Sequence, residues 1–418
     1  MLNKLFQFIK GAVHHITHGG RVYYMWVAFL LLLIAWGGYG YSNQFREGLI
    51  VTSMRDQVMW GFYIGNFTFL VGVAAAAVVL VIPAYIYHWG PIYEIVIIGE
   101  LLAISAIIMC LGFVSVDIGR PDRFTHIMPL IGSLNWPRSM LAWDVLVLNM
   151  YLILNVSIVS HILWRAFHGR EPSKGFVVPL VLFSIPAAVS IHSVTAFLYS
   201  GLGGRPFWND AILAPRFLAS AFCSGPAIIL ILLQILRKTA GLNIKDAAIQ
   251  KIAELMAYAI AINLFFLGAE LFKEYYSDTN HITHAQYLYF GLKGATGLGI
   301  YAWTSVAANV VALVLFLVPA TRNNFFTLNV GCVLLYVGVY IEKGIGLVIP
   351  GLTPDTLGEI YEYVPTRHEM QVAAGVFGLG FLAFTVMIKV AIPVALGKLT
   401  YKPRDGEVLP AEPVEHAV

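Results

Sequence analysis

The sequence contains few charged residues. Of its 418 residues, 12% are charged and 59% are hydrophobic, whereas roughly 25% of the residues of an average soluble domain are charged. Because this imbalance extends over the whole length, we predict an integral membrane protein. The net charge of +3 gives no support for binding to nucleic acid.

Cysteine is also scarce. The chain has only Cys110, Cys223 and Cys332, each inside an apolar run, and no two of them form a C-x-x-C pair. We therefore expect neither an iron–sulfur cluster nor a disulfide framework. A Walker A sequence is missing, which argues against ATP-driven transport. The N-terminal MLNKLFQFIKGAVHH is too polar for a signal-peptide core, so the first span is expected to stay attached.

A pair of histidines for haem is missing as well. Haem b between helices needs two axial histidines that face each other at similar depth. Of the twelve histidines only His192 lies well inside an apolar run, whereas His88 and His161 lie at the ends of runs. The sequence therefore predicts no haem and no metal site in this chain.

Long apolar runs dominate the sequence instead. A helix needs about 20 apolar residues to cross a bilayer. Ten runs meet this length, and they predict an all-α, polytopic membrane protein. The runs are 22–42, 58–87, 91–115, 141–164, 176–200, 212–236, 252–272, 298–319, 325–350 and 370–397.

The connections between the runs differ on the two sides of the membrane. Lys and Arg are more frequent on the side of the two termini, which predicts cytoplasmic termini. The connections on the opposite, outer side are long and rich in aromatic residues, Pro and Gly, which is typical of a docking surface. These outer connections are 43–57, 116–140, 201–211, 273–297 and 351–369.

Ionisable residues inside a membrane are costly and are candidates for function. Glu100 lies near the middle of the third run and His192 lies in the fifth, and both can exchange protons. Glu94, Glu254 and Lys389 lie near the inner interface, where we expect snorkelling or ion pairs between helices.

Two further expectations concern the sixth and seventh runs. Asn263 and Glu270 are seven residues apart, so they share one face of a helix. Arg216 is expected to balance a nearby acid or to position the helices around it. Arg205 and Trp208 precede it in a loop that we expect to face a partner.

The outer ends of the runs hold polar and aromatic residues that suit a quinone. Such a site needs an apolar slot and a few hydrogen-bonding groups for the two quinone oxygens. An aromatic belt with salt bridges in the loops would explain the same residues without a ligand. The residues at suitable depth are Tyr63, Asn66, Asp117, Arg120, His192 and Tyr199.

Several motifs resemble the NrfD/PsrC family, the membrane subunits of polysulfide-reductase-like complexes. They are WGFYIGNF at 60–67, DIGRPDRF at 117–124, and HSVTAFLYSGLGGRPFW at 192–208 followed by SGPA. The resemblance covers roughly residues 20–397. It is closest to the ten-helix branch of the family, and within that branch to the DsrP type of subunit from DsrMKJOP complexes.

The resemblance implies a fold and a division into domains. It implies two four-helix bundles, formed by spans 2–5 and spans 6–9, with one helix flanking each. The implied domains are 1–57 with the first span, 58–200 with the quinone site, 201–350 as the second bundle, 351–397 with the last span, and a disordered cytoplasmic tail at 398–418.

The implied function is exchange of electrons between the quinone pool and a periplasmic iron–sulfur partner in the cytoplasmic (inner) membrane, in dissimilatory sulfur metabolism. Menaquinone or ubiquinone would be the bound substrate, with no haem or cluster in this chain. A cytochrome c and a haem-b membrane subunit are implied as further partners. Quinone would meet Tyr63, Asn66, Asp117, Arg120 and His192.

Proton transfer through His192, Glu100 and Asp117 would accompany the electron transfer, either locally or across the membrane. Two alternatives stay open. A secondary transporter also has many spans with charges at the midplane, and it would purify alone. A passive anchor of a redox complex would bind no quinone.

Overall fold

The computed structural model describes residues 2–75, 77–87, 89–93, 95–128, 131–277 and 282–401. Glu94, His88 and the tail from residue 402 onward lie outside the described residues. The described part of the chain forms sixteen α-helices and no β-strand. The helices are α1 (Leu2–Thr17), α2 (Arg21–Glu47), α3 (Phe62–Ala75), α4 (Ala77–Val81), α5 (Gly90–Tyr93), α6 (Val96–Asp117), α7 (Met140–Phe167), α8 (Lys174–Ser200), α9 (Leu213–Thr239), α10 (Asp246–Ser277), α11 (Ile282–Tyr289), α12 (Gly299–Leu317), α13 (Pro319–Arg322), α14 (Phe325–Lys343), α15 (Ile345–Leu352) and α16 (Arg367–Ala395).

Nine stretches of helix in the described residues are long and apolar enough to cross a membrane, and α14 and α15 together form one of them. The shorter apolar helix α3 belongs to the second predicted span. The prediction of an all-α, polytopic membrane protein is confirmed. The second span is not one continuous α-helix, because α4 passes into a π-helical turn at Ile82–Ile86. Pro83 lies in this turn, where its missing N–H and its ring disrupt regular α-helical hydrogen bonding.

The long helices pack as two rings of four. In the first ring α3 contacts α6 and α8, and α7 contacts the same two helices. In the second ring α9 contacts α10 and α14, and α12 contacts the same two. We call these rings the first and the second bundle, and α9 joins them by packing against α3 and α8. The predicted bundles of spans 2–5 and 6–9 are therefore confirmed.

The first and last spans both lie beside the first bundle, and not one beside each bundle as expected. Helix α2 packs along α16, and α16 packs on α6. Gly37 and Gly375 face each other at the crossing, and a Cβ atom on Gly375 would lie 2.8 Å from the Cα of Gly37. Only glycine allows two helix backbones to approach this closely.

Two ionisable residues near the inner interface form local contacts, although neither forms the expected ion pair between helices within the described residues. The Nζ of Lys389 donates to the carbonyl oxygen of His18 at 2.7 Å and lies 4.4 Å from the ring centre of Tyr23. Glu254 forms a 3.0 Å ion pair with Lys251 on α10. These residues therefore need no catalytic role to explain their positions.

Candidate functional site

The end of the protein at which α3 begins and α6 ends is called the outer end. Here the Tyr63 hydroxyl donates to Gln44 Oε1 at 2.8 Å, and Gln44 Nε2 donates to the Val116 carbonyl oxygen at 2.5 Å. Both side chains are buried. The two bonds connect α2, α3 and α6, and they fix the Tyr63 phenol beside the last turn of α6.

Asp117 ends this last turn of α6. A carboxylate at the C-terminus of a helix faces the negative end of the helix dipole, which is unfavourable. Its Oδ1 is shielded from solvent and has no hydrogen-bond partner among the described residues. Tyr63 and Glu369 both lie within electrostatic reach of this carboxyl group. A buried polar atom without a partner is uncommon and needs an explanation, such as a ligand or a role in proton transfer.

Glu369 supports the same region from the first turn of α16. Its carboxylate is fully buried and accepts hydrogen bonds from the backbone N–H groups of Ser53 at 3.0 Å and Thr366 at 2.9 Å. The Tyr363 hydroxyl also donates to it, and this hydroxyl accepts from the Phe62 N–H at 2.7 Å. Burial, followed by the nearby Glu369 carboxylate, raises the pKa of Tyr363. The phenol therefore keeps its proton and continues to donate to Glu369.

Sequence reasoning missed Gln44 and Glu369 as members of this group. Gln44 lies just beyond the apolar run 22–42, where polar residues are expected, so no signal marks it. Glu369, in contrast, could have been found from the sequence. Thr366 and Glu369 form a complete capping box at the start of α16, and the T-x-x-E spacing of such a box is visible in sequence.

Tyr199 and His192 lie on α8, facing a different side of α3. The hydroxyl groups of Tyr199 and Thr68 share a short hydrogen bond. The Tyr199 ring packs against Trp208, with 5.0 Å between ring centres, and against Trp60 at 5.5 Å. His192 lies seven residues before Tyr199, about 10 Å deeper along the helix.

Trp208 corrects one expectation. Its side chain is 0% exposed, and its Nε1 donates to the Leu347 carbonyl oxygen at 2.9 Å. The prediction that Trp208 faces a partner is therefore wrong, because the 3-10 turn Pro206–Trp208 directs the indole inward against α15. Arg205 next to it binds the Leu352 carbonyl oxygen at 3.2 Å.

Asn66 and Arg120 lie apart from the other predicted quinone contacts. Asn66 Oδ1 accepts from the Tyr340 hydroxyl at 2.8 Å, which connects α3 to α14 of the second bundle. The Arg120 side chain is 65% exposed and binds both oxygens of Asp122, at 2.9 and 3.0 Å. This hydrogen-bonded arginine lowers the pKa of Asp122. Of the six predicted residues, the structure brings Tyr63 close to Asp117. Tyr199 and His192 share one face of α8 but lie about 10 Å apart along it.

Two carboxyl groups lie deeper in the first bundle. Glu100 on α6 is buried, and neither of its oxygens has a hydrogen-bond partner among the described residues. Tyr151 on α7 lies within its electrostatic reach. Asp144 on α7 differs, because the Thr195 hydroxyl donates to its Oδ1 at 2.7 Å.

The second bundle holds a cluster of buried charges, Arg216, Glu270, Glu342 and Lys343, which we call the ion cluster. Arg216 pairs with Glu270 and, at 3.0 Å, with Glu342. The Nζ of Lys343 lies 3.2 Å from Glu342. The expectation that Arg216 balances a nearby acid is confirmed.

Two side-chain amides also bind Glu342 of the ion cluster. Asn263 on α10 and Asn309 on α12 each donate to Glu342 Oε2 at 3.1 Å. Asn263 and Glu270 both reach the cluster, so the predicted shared helix face is confirmed. Within the described residues no group of three His, Cys, Asp or Glu side chains is placed to hold a metal ion.

These features define a class of protein, a polytopic membrane protein with buried ion pairs in the second bundle. In its first bundle Glu100, Asp117 and His192 keep buried polar atoms without a hydrogen-bond partner among the described residues. The chain belongs to the NrfD family, because the family model described as polysulphide reductase, NrfD matches residues 50–354.

Relatives extend this likeness over most of the chain. A protein of Halobacterium salinarum that is named as a membrane subunit of dimethyl sulfoxide reductase is 26% identical, over 85% of this chain and 88% of its own length. The Hdr-like menaquinol oxidoreductase integral membrane subunit of Archaeoglobus fulgidus is 23% identical, over 88% and 92%. The menaquinone reductase integral membrane subunit of Nitratidesulfovibrio vulgaris is 23% identical, over 76% and 79%.

Proposed function

We propose that this chain is the quinone-reactive membrane subunit of a multi-subunit electron-transfer complex. The observation that carries the proposal is Asp117 Oδ1, which is buried and has no hydrogen-bond partner within the described residues, near the Tyr63–Gln44 hydrogen bond at the outer end. Family membership supports it, as do the relatives named for menaquinol and menaquinone. The bound substrate is a quinone of the menaquinone or ubiquinone type.

The chemistry follows from what a quinol must lose. Oxidation of a quinol releases two electrons and two protons, so its hydroxyl groups need acceptors. A quinol hydroxyl donates to Asp117 Oδ1, and the carboxylate takes the proton as the electrons leave. Tyr63 accepts a hydrogen bond from the second quinol hydroxyl, whose proton leaves to water at the outer end, and Gln44 positions the Tyr63 phenol. In the reverse direction Asp117 returns one proton to a quinone and water supplies the other.

His192 and Glu100 then extend the route of the protons. Both are buried, and both keep a polar atom without a hydrogen-bond partner among the described residues. His192 serves the outer part of the first bundle, and Glu100 serves the inner half. If protons cross the whole membrane through them, turnover is electrogenic.

The electrons pass to an iron–sulfur protein that docks on the outer-end loops. Large apolar side chains are exposed there, and exposed apolar surface in a loop is typical of a protein–protein contact. In the loop after α6 they include Ile131 and Trp136, which are 68% and 54% exposed. In the loop before α16 they include Leu357 and Val364, which are 83% and 68% exposed.

The cellular setting rests on the sequence resemblance and on the distribution of Lys and Arg. We place the chain in the cytoplasmic membrane, with cytoplasmic termini and a periplasmic docking face. The DsrP-like motifs favour dissimilatory sulfur metabolism, with a cytochrome c and a haem-b subunit as further partners. Co-purification of these subunits, together with extractable quinone, separates this function from a transporter or a passive anchor.

The substitution Asp117→Asn tests the proposal in the purified complex. The amide keeps the shape but cannot accept the proton, so quinol oxidation should fall by roughly 100-fold or more. Asp122→Asn in the same loop is the matched control, since Asp122 is exposed and bound to Arg120. Turnover of Asp117→Asn equal to that of the control would remove Asp117 from the mechanism.

A further inference from the structure

A small cavity lies between the two bundles, where α3, α8, α9 and α14 meet. Its volume is about 10 Å³, and its polar lining comes from Thr68, His192, Ser220, Ser224 and Lys343. A cavity of roughly 10–15 Å³ holds one water molecule if it offers two to four polar partners. The cavity is therefore of the right size and polarity for a single water.

His192 presents an acceptor to this cavity. Its Nδ1 lies 3.1 Å from the Ala188 carbonyl oxygen. A carbonyl oxygen can only accept, so Nδ1 carries the hydrogen, and Nε2 of the neutral ring has a free lone pair. This Nε2 is buried and has no hydrogen-bond partner among the described residues.

Lys343 presents a donor to the same cavity. Its Nζ contacts Glu342 at 3.2 Å and lies 5.2 Å from the Phe217 ring centre, yet it makes no hydrogen bond within the described part of the chain. Ser220 and Ser224 donate their hydroxyls to backbone carbonyl oxygens, so each keeps lone pairs for accepting. The lining thus offers one donor and several acceptors, which are the partners that a water molecule requires.

We propose that one water molecule occupies this cavity and joins Lys343 of the second bundle to His192 of the first. The water accepts from a Lys343 N–H and donates to His192 Nε2, and its second hydrogen reaches Ser220 or Ser224. The bridge connects the ion cluster to the proton-exchanging groups of the first bundle.

The bridge also provides a complete proton step. Lys343 gives one proton to the water oxygen while the water gives one of its own protons to His192 Nε2. The ammonium becomes an amine, the imidazole becomes an imidazolium, and the water is restored. This step rests on the proposed quinone chemistry, which supplies the reason for moving the proton, whereas the water site does not depend on it.

Gly72→Ala tests the water site without disturbing its partners. Gly72 lines the cavity, and a Cβ added there would meet its nearest neighbour, Ser224 Oγ, at 3.7 Å, an ordinary contact. The methyl group fills the cavity and excludes the water. Gly38→Ala is the matched control, because an added Cβ on this exposed helical glycine meets nothing within 4 Å.

High-resolution structures of the purified complex and of both variants give the first readout. We expect a density peak within about 3.2 Å of both His192 Nε2 and Lys343 Nζ in wild type and Gly38→Ala, and none in Gly72→Ala. A wild-type cavity without the peak, or a peak that persists in Gly72→Ala, would overturn the water site.

Quinol oxidation by the same samples gives the second readout. We expect at least a tenfold lower rate for Gly72→Ala than for Gly38→Ala. Equal rates, with the water present in wild type, would overturn the proton step and leave the water structural. A wild-type complex that oxidises no quinol would contradict the proposed function, and the density would still decide the water site.

Discussion

The acids of the ion cluster are paired with Arg216. Three ionisable groups of the first bundle instead keep buried polar atoms that have no hydrogen-bond partner among the described residues. In the second bundle Arg216 lies between Glu270 and Glu342, and two amides bind Glu342. In the first bundle, Glu100, Asp117 and His192 each have at least one such atom.

Buried ion pairs and buried polar groups without partners have different roles in a membrane protein. Charges that neutralise one another hold helices in a fixed arrangement, although they contribute little net stability over an apolar core. A buried polar group left without a partner costs about 1–3 kcal/mol, so its retention indicates a role that stability does not explain. We therefore propose that the first bundle carries the quinone chemistry, whereas the Arg216 ion pairs of the second bundle fix its helices and Lys343 connects the two.

The largest expected effect is that of Arg216→Met. The substitution leaves the buried Glu270 without its counter-charge and leaves Glu342 with Lys343 alone, so the free energy of unfolding should fall by roughly 3–5 kcal/mol. Unfolding of the purified protein in detergent by a graded denaturant measures this change. Lys251→Gln, which removes an exposed ion pair, should change it by less than about 1 kcal/mol. Equal stability of the two variants would contradict a structural role for the ion cluster.

Glu100→Met should change the free energy of unfolding in the opposite direction. It removes a buried carboxyl group that has no hydrogen-bond partner in the described part of the chain, so we expect the free energy of unfolding to rise by about 1–3 kcal/mol. The matched control is Glu369→Met, which removes an equally buried carboxylate that accepts several hydrogen bonds. The control should lose about 1–3 kcal/mol, and a loss in both variants would show that Glu100 is paired after all.

Arg120→Gln should have the smallest effect. The Arg120–Asp122 pair is fully exposed and screened by salt. Because the arginine lowers the pKa of Asp122 from its ordinary 3.8, its contribution exists above that pH and disappears as the pH falls through the lowered pKa. We expect the melting temperatures of variant and wild type to agree at neutral pH. A clear drop at that pH would show that Arg120 contributes to stability as the buried ion pairs do.

Much of the architecture was predictable because it depends on the length and order of apolar runs. Ten runs with short inner connections indicate the spans, and the family motifs indicate how they group into bundles. The break in the second span was not predicted. Pro83 lies inside an apolar run, and apolar character alone does not show where α-helical hydrogen bonding stops.

The contacts of the candidate site were less predictable. Depth in the membrane follows from position along a run, but the neighbour that a side chain meets depends on rotation about the helix axis. Helix α3 is apolar and buried on nearly all sides, so its sequence has no hydrophobic face to fix that rotation. Tyr63 and Asn66 were both expected near the outer end, yet they contact α2 and α14, respectively, whereas their neighbour Thr68 contacts α8.

Helix α2 of the first span packs against α16 of the last span at Gly37 and Gly375. This contact can therefore form only after nearly the whole chain has been synthesised. The outer site combines Gln44 from the first span with Glu369 from the last, so its components are separated by most of the chain. Until residues 367–395 have entered the membrane, the face of α6 that packs against α16 stays exposed. Each newly made copy therefore passes through a stage in which its candidate site and its proposed docking surface are both incomplete.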